Sequence, residues 1–482
     1  MSNADGPSRR EPERSSAALT PLIADLTITG GTVVTETGEE QLDVVVRDGR
    51  IVELAPPGKK PDSRERFDAA GCLVLPGAVD VHYHARTPAY PERGDFFTET
   101  CASAAGGVTT ILEMPISKPG CATPDTFRTR RQLGEQMCVT DFGLYGAPGT
   151  LIRDDVFGMA REGAVAFKIF MHRPPQGRDD EFIGICLTDE SDLLEALKLC
   201  KETGLRLVAH CENDRMLHAG LVREKALGAG DIVAHGRSRP PVVEALAVAE
   251  FLTLAESVGA PVHVAHVTCR HAVQVIQRFQ NDGVDVTAET CPHYLFFHDQ
   301  EISRLGAYAK INPPIRTQAD QDALWAALAD GTLSLVATDH APYVPAEKER
   351  GDRDFWSAPS GVPGAQVLLP LMITAALEGR ITLSQAVQLI AGNPARLFGL
   401  APAKGAITPG ADADLCVYDS NAEGTLTQKR MVSKAKEIDR LYLDYPLRGA
   451  VLRTYLRGRT VFDGERIVVP AGSGAFVRPR VS

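Results

Sequence analysis

Two histidines, two residues apart, close an apolar run in residues 73–86, LVLPGAVDVHYHAR. Successive side chains of a β-strand alternate faces, so His82 and His84 should point the same way, with Asp80 beside them. Two neutral imidazoles on one face suit zinc and similar ions. The pair could equally be two hydrogen-bonded histidines of an ordinary strand, because short motifs recur by chance. The pattern repeats, however. Later apolar runs carry Lys168 and end at His210, His266 and Asp339. Charged and metal-type groups on buried strands are rare unless paired or bound to an ion.

Lys168 is the odd member, since an ammonium repels cations and offers no lone pair. It could form a salt bridge to Asp80 or Asp339. Alternatively, burial could strip its proton and let the free amine react with carbon dioxide. The resulting carbamate would be a two-oxygen anion able to bridge two ions.

These residues need a scaffold that brings distant strand ends together. Eight apolar runs alternate with helical stretches such as DLLEALKLCKETG and VVEALAVAEFLTLAESVG. The runs are LVLPGAVDVHYH, 108–115, 139–147, 164–170, 205–211, 261–267, 284–291 and 333–340. That alternation predicts a (β/α)8 TIM barrel over 76–395, whose strand C-termini converge on one mouth. Segments 171–192 and 341–362 would be loops over it. Residues 26–75 and 396–482 read instead as short strands with Gly-punctuated turns. They predict a small β-sandwich domain built from both ends of the chain, preceded by a solvated tail over 1–25.

The bulk composition narrows the function. A net charge of −11 gives no footprint for nucleic acid. No apolar run approaches the roughly 20 residues of a membrane span, and residues 1–25 lack a secretory core. The ten cysteines are scattered without a CxxC pair, as expected of reduced thiols in a cytoplasmic protein.

With DVHYH, FKIF, AHCEN, HVAHV, ETCPHYL, KINPPIR, ATDHAP and NPARLFGL in this order, the chain resembles the metal-dependent amidohydrolase superfamily. Within it, the likeness is to the cyclic amidohydrolases: hydantoinase, allantoinase, dihydroorotase and dihydropyrimidinase. KGAITPGADADLCVYD matches the return into the small β-domain. The resemblance implies two divalent metal ions, usually zinc. His82 and His84 would hold the more buried ion, and His210 and His266 the other. N6-carboxylated Lys168 would bridge them, and Asp339 would complete the first site and move protons. Such a pair of ions activates water and polarises an amide carbonyl. The reaction implied is ring opening at the C–N bond of a small cyclic amide, by a homo-oligomer, commonly a tetramer.

The ring itself is less legible. Arg86 stands where dihydroorotases grip the substrate carboxylate, a task suited to a guanidinium. Yet Ile116 and Tyr343 replace the asparagine and histidine of those enzymes. Arg173 replaces the tyrosine that D-hydantoinases and dihydropyrimidinases place five residues past the lysine. The stretches EMPI, DFGLYG and 354–372 point to the L-hydantoinase and allantoinase side. By motif position Asn312, Ser360 and Gly361 are candidate substrate contacts, or else loop-shaping residues. His263 reads as packed, His172 as a mouth-loop residue that is at the surface or else touches substrate, and Cys291 as a small core residue. Alternatives are a dihydroorotase or other cyclic-imide hydrolase, a deaminase or exocyclic-amide hydrolase of the same fold, and a non-enzymatic scaffold. The last typically loses metal ligands, whereas all six candidates are present here.

Overall fold

The computed structural model describes residues 23–58 and 62–480. Residues 1–22, most of the expected tail, lie outside the described residues.

The first seven strands are β1 (Ala24–Thr29), β2 (Thr32–Thr35), β3 (Gly38–Gln41), β4 (Asp43–Arg47), β5 (Arg50–Ala55), β6 (Ser63–Asp68) and β7 (Leu73–Pro76). Eight further strands form the barrel: β8 (Ala78–Tyr83), β9 (Val108–Glu113), β10 (Asp141–Leu144), β11 (Phe167–Phe170), β12 (Leu207–His210), β13 (Val262–Val264), β14 (Val286–Thr290) and β15 (Leu335–Val336). The last three are β16 (Leu415–Thr425), β17 (Pro446–Leu456) and β18 (Arg459–Phe462).

The outer strands make a sandwich of two sheets, ordered β5-β4-β1-β6 and β18-β17-β16-β7-β2-β3. Leu26, Ile28, Val44 and Val46 of one sheet pack against Val33, Val74, Leu415 and Val417 of the other. Both chain ends therefore share one apolar core, with Leu75 paired to Cys416 across the β7–β16 ladder.

The run 73–84, read as one strand, is two. Its first half, β7, belongs to the sandwich, and β8 pairs in parallel with β9. Gly77 marks the change of sheet, because a Cβ there would lie 2.2 Å from Thr109 Oγ1. No side chain fits at that crossing.

The eight barrel strands form parallel ladders β10-β9-β8 and β11-β12-β13-β14-β15. Single parallel bridges, Gly146 to Phe167 and Tyr83 to His340, close the two remaining seams. Helices such as Phe96–Ala105, Glu190–Thr203 and Pro241–Val258 bury their apolar faces on the cylinder. Their ends follow ordinary capping chemistry: Asp95 caps the first of them, and Gly204 and Gly259 adopt left-handed conformations at the C-termini of the other two.

Two structures stabilise the bottom of the barrel. Lys404, 4 % exposed, lies among Asp141, Asp412 and Asp414, with Nζ 3.0 Å and 2.7 Å from the last two. The C-terminal segment runs along β10 on the side without a ladder. Phe142 N–H donates to Ala475 O (3.0 Å), and Val477 N–H donates to Phe142 O (2.8 Å).

Candidate metal centre

The six candidate ligands come from five strand ends, and the fold draws them together. His82 Nε2 and His84 Nε2 lie 3.3 Å and 3.2 Å from the same oxygen, Asp339 Oδ1. The His82 ring is 5.2 Å from that of His266, which is 4.4 Å from that of His210. One ligand atom each from His82, His266 and Asp339 fall within 4.8 Å of one another. Lys168, fully buried, sits beside them. It pairs with Val208 in the β11–β12 ladder, two residues before His210 pairs with Phe170.

Local backbone aims several of these groups. The simple alternation expected of β8 is interrupted, with register shifts between Ala78 and Val79 and between Asp80 and Tyr83. His266 and Asp339 lie beyond the ends of β13 and β15 and take left-handed φ values of 36° and 47°. Arg86 does the same at 65°. Left-handed residues other than glycine cost energy and concentrate at functional sites. Asp80 does not join the cluster. Its carboxylate accepts from Thr338 N–H (3.0 Å) and Thr338 Oγ1 (2.5 Å), tying β8 to the segment that follows β15.

A layer of carboxylates behind the imidazoles sets which nitrogen faces inward. Glu289 accepts from His82 Nδ1, leaving Nε2 for the cavity, and its other oxygen lies 3.2 Å from His263 Nε2. Glu212 holds His210 Nε2 at 2.7 Å and also accepts from Arg239. Carboxylate support of this kind fixes tautomer and ring orientation in histidine metal sites.

The profile of the amidohydrolase family matches residues 73–461 of this chain. The chain belongs to the amidohydrolase family. It is 32 % identical over 467 residues to a D-hydantoinase of Ralstonia pickettii, covering 95 % of this chain and 99 % of that one. It is 35 % identical over 460 residues to an allantoinase of Rubrobacter xylanophilus, covering 95 % and 98 %. The solved L-hydantoinase of Arthrobacter aurescens superposes with a TM-score of 0.89 at 31 % identity, covering 95 % and 100 %.

The electrostatics of this amidohydrolase fit a cation. Burial pushes His84 down to about 3 against the pull of Asp339, and pushes His210 and His266 well below their usual range. These imidazoles are therefore neutral, as ligation requires. Burial opposes the charge of Asp339, but His82, His84 and His266 outweigh it and hold the carboxyl well below its ordinary value. Among the described residues Lys168 makes no hydrogen bond or ion pair, so neither of the salt bridges open to it forms. Burial lowers it to about 8, opposed by Glu289 and Asp339. His84 Nδ1 and His266 Nδ1 are also buried without partners. The nitrogens beside the carboxylate are His82 Nε2 and His84 Nε2, and with the unpaired Lys168 amine they form a donor set short of a positive centre.

The expected substrate contacts gather on the mouth loops. Ser360 Oγ donates to Asn312 Oδ1 (3.0 Å), and Gly361 N–H donates to Lys310 O (2.9 Å). Gly361 has φ +139°, and a Cβ there would lie 2.6 Å from that of Ala341. Arg86 is 4 % exposed, has no carboxylate partner among the described residues, and lies 4.7 Å over the Tyr343 ring. Arg173 is already bound to Asp214, with Nη2 to Oδ2 at 2.6 Å. His172, expected at the surface, is 6 % exposed and packs edge-on against His210. Sequence reasoning missed Glu289 and Glu212 as supports. The signal that located Lys168, an ionisable residue in a buried strand, applied equally to Glu289.

Proposed function

We propose that this amidohydrolase opens the C–N amide bond of a cyclic amide or ureide, as a hydantoinase or allantoinase does. The reading rests above all on the meeting of four imidazoles, Asp339 and an unpaired lysine at one barrel mouth. His82, His84 and Asp339 would hold one divalent ion, and His210 and His266 a second, with carboxylated Lys168 between them. Imidazole and carboxylate donors suit zinc. When bound, such ions polarise the amide carbonyl and make water acidic near neutral pH.

The chain's own residues supply the remainder. A neutral Lys168 Nζ adds to carbon dioxide, forming an N–C bond and releasing one proton. Asp339 has the most exposed side chain of the six, at 12 %, and can exchange protons with bound substrate. It takes a proton from the attacking water and delivers it to the leaving ring nitrogen. Asn312, Ser360 and Gly361 border the ring. The unpaired guanidinium of Arg86 favours a ring bearing an acidic substituent, which keeps a dihydroorotase-like substrate as the second reading. The protein would act as a cytoplasmic homo-oligomer, a tetramer by likeness to its relatives. All ten cysteines are unpaired, in keeping with that compartment.

The test is turnover by zinc-loaded protein in bicarbonate across allantoin, 5-substituted hydantoins, dihydrouracil, dihydroorotate and cyclic imides. Ring opening of an allantoin or hydantoin is expected. Failure on every ring with two ions bound would overturn the reading.

A further inference from the structure

His172 follows Lys168 by four residues, on the loop leaving β11, and lies outside the six ligands considered so far. Its Nδ1 is 2.7 Å from Arg173 O. A carbonyl can only accept, so Nδ1 carries the proton and, in the neutral ring, Nε2 carries a lone pair. That Nε2 is buried and has no hydrogen-bond partner among the described residues.

The ring is held in place. It meets the Phe170 ring edge-on at 5.3 Å and the His210 ring edge-on at 4.9 Å, while Phe170 stacks on His210 at 4.6 Å. Asp214 fixes the next residue, accepting from Arg173 N–H (3.0 Å) and from its guanidinium (2.6 Å). One ligand atom each from His172, His210 and Glu212 lie within 4.8 Å of one another. Glu212 serves His210 Nε2 and Arg239 through Oε2, while its Oε1 is buried with no partner among the described residues. Donor atoms on one tetrahedral zinc sit roughly 3.4 Å apart, against the 4.8 Å limit within which a nitrogen of each imidazole lies here.

His172 shares one feature with His82 and His210, a nitrogen tied to an oxygen behind the ring, and its own second nitrogen is buried without a partner among the described residues. Ligating histidines in metal proteins show this arrangement almost without exception. We infer that His172 is a further ligand of the second metal position, beside His210. The inference rests on the two-ion reading of the centre.

The experiment is a Zn2+ titration of metal-free protein in bicarbonate, with Co2+ absorption spectra, on the unsubstituted chain, His172→Ala and the near-isosteric His172→Gln. One of the two sites should bind about 10- to 100-fold more weakly in both variants, with the other unchanged. The visible band of the second Co2+ equivalent should intensify as its coordination number falls. Equal melting temperatures of the metal-free proteins confirm intact folds, and His172→Gln carries the test if His172→Ala does not fold. Unchanged affinities and spectra would overturn the inference, as would a raised KM with both sites intact, which would make His172 a substrate contact. If the unsubstituted chain itself fails to take up two ions, the two-ion reading falls instead.

Discussion

Glu289→Gln isolates the layer behind the metal ligands. The carboxylate is 1 % exposed and faces two imidazoles, accepting from His82 Nδ1 and lying 3.2 Å from His263 Nε2. It also accepts from His266 N–H at 3.3 Å. Burial alone would raise its pKa, but His82 and His263 hold it below the usual range, so it is an anion in the folded protein. A glutamine keeps the shape but offers one oxygen and one NH2. It can accept from only one imidazole, and its NH2 confronts the other. If it confronts His82, Nδ1 must surrender its proton and the proton moves to Nε2, which then cannot ligate. Losing one charge-assisted hydrogen bond costs about 2 kcal/mol. That converts to roughly 30-fold weaker zinc binding at one site. The assay is competition with a chromophoric chelator on metal-free protein, with circular dichroism to verify the fold. An affinity within about 3-fold of the unsubstituted protein would refute the idea that Glu289 sets the tautomer of His82.

Three further outcomes follow from the same geometry. Lys168→Ala should lose one of two bound ions and at least about 100-fold in turnover; full activity with two ions bound would refute the bridging role. Lys168 near pH 8 is about one-tenth neutral at pH 7 and about nine-tenths neutral at pH 9. Because the neutral amine reacts, the initial rate of carbamate formation per dissolved carbon dioxide should rise about tenfold over that interval, followed by time-resolved 13C NMR; a flat profile would count against it. Lys404→Met should leave Asp141, Asp412 and Asp414 without their shared cation and destabilise the protein by about 3–5 kcal/mol, measured on the first transition in urea. A change under about 1 kcal/mol would show that Arg457, also paired to Asp141, compensates.

The barrel was legible because its strands are short apolar runs whose ionisable residues fall near one end. His82, His84, Lys168, His210, His266 and Asp339 all announced themselves as polar groups where burial forbids them. The split at Gly77 was signalled by a Pro-Gly pair inside a run taken as continuous. What stayed hidden depends on pairings between strands distant in sequence. Nothing local to Glu289 says that it faces His82, which lies six barrel strands earlier. His172 looked like surface because a loop position next to arginine and two prolines is usually exposed. In the fold Arg173 is anchored by Asp214 and the His172 ring packs inward against Phe170 and His210. Asp80, open in sequence as a salt-bridge partner for Lys168, instead spends its carboxylate on Thr338.

The C-terminal segment beside β10 carries a consequence for how this protein is made and how it fails. Until residues 475–477 arrive, the amide and carbonyl of Phe142 face outward from an unfinished seam. Exposed strand edges recruit other chains. A ribosome-bound or proteolytically shortened copy would therefore present an adhesive flank that the finished molecule lacks. Aggregation of C-terminally clipped protein, rather than gradual loss of activity, is the expected mode of inactivation.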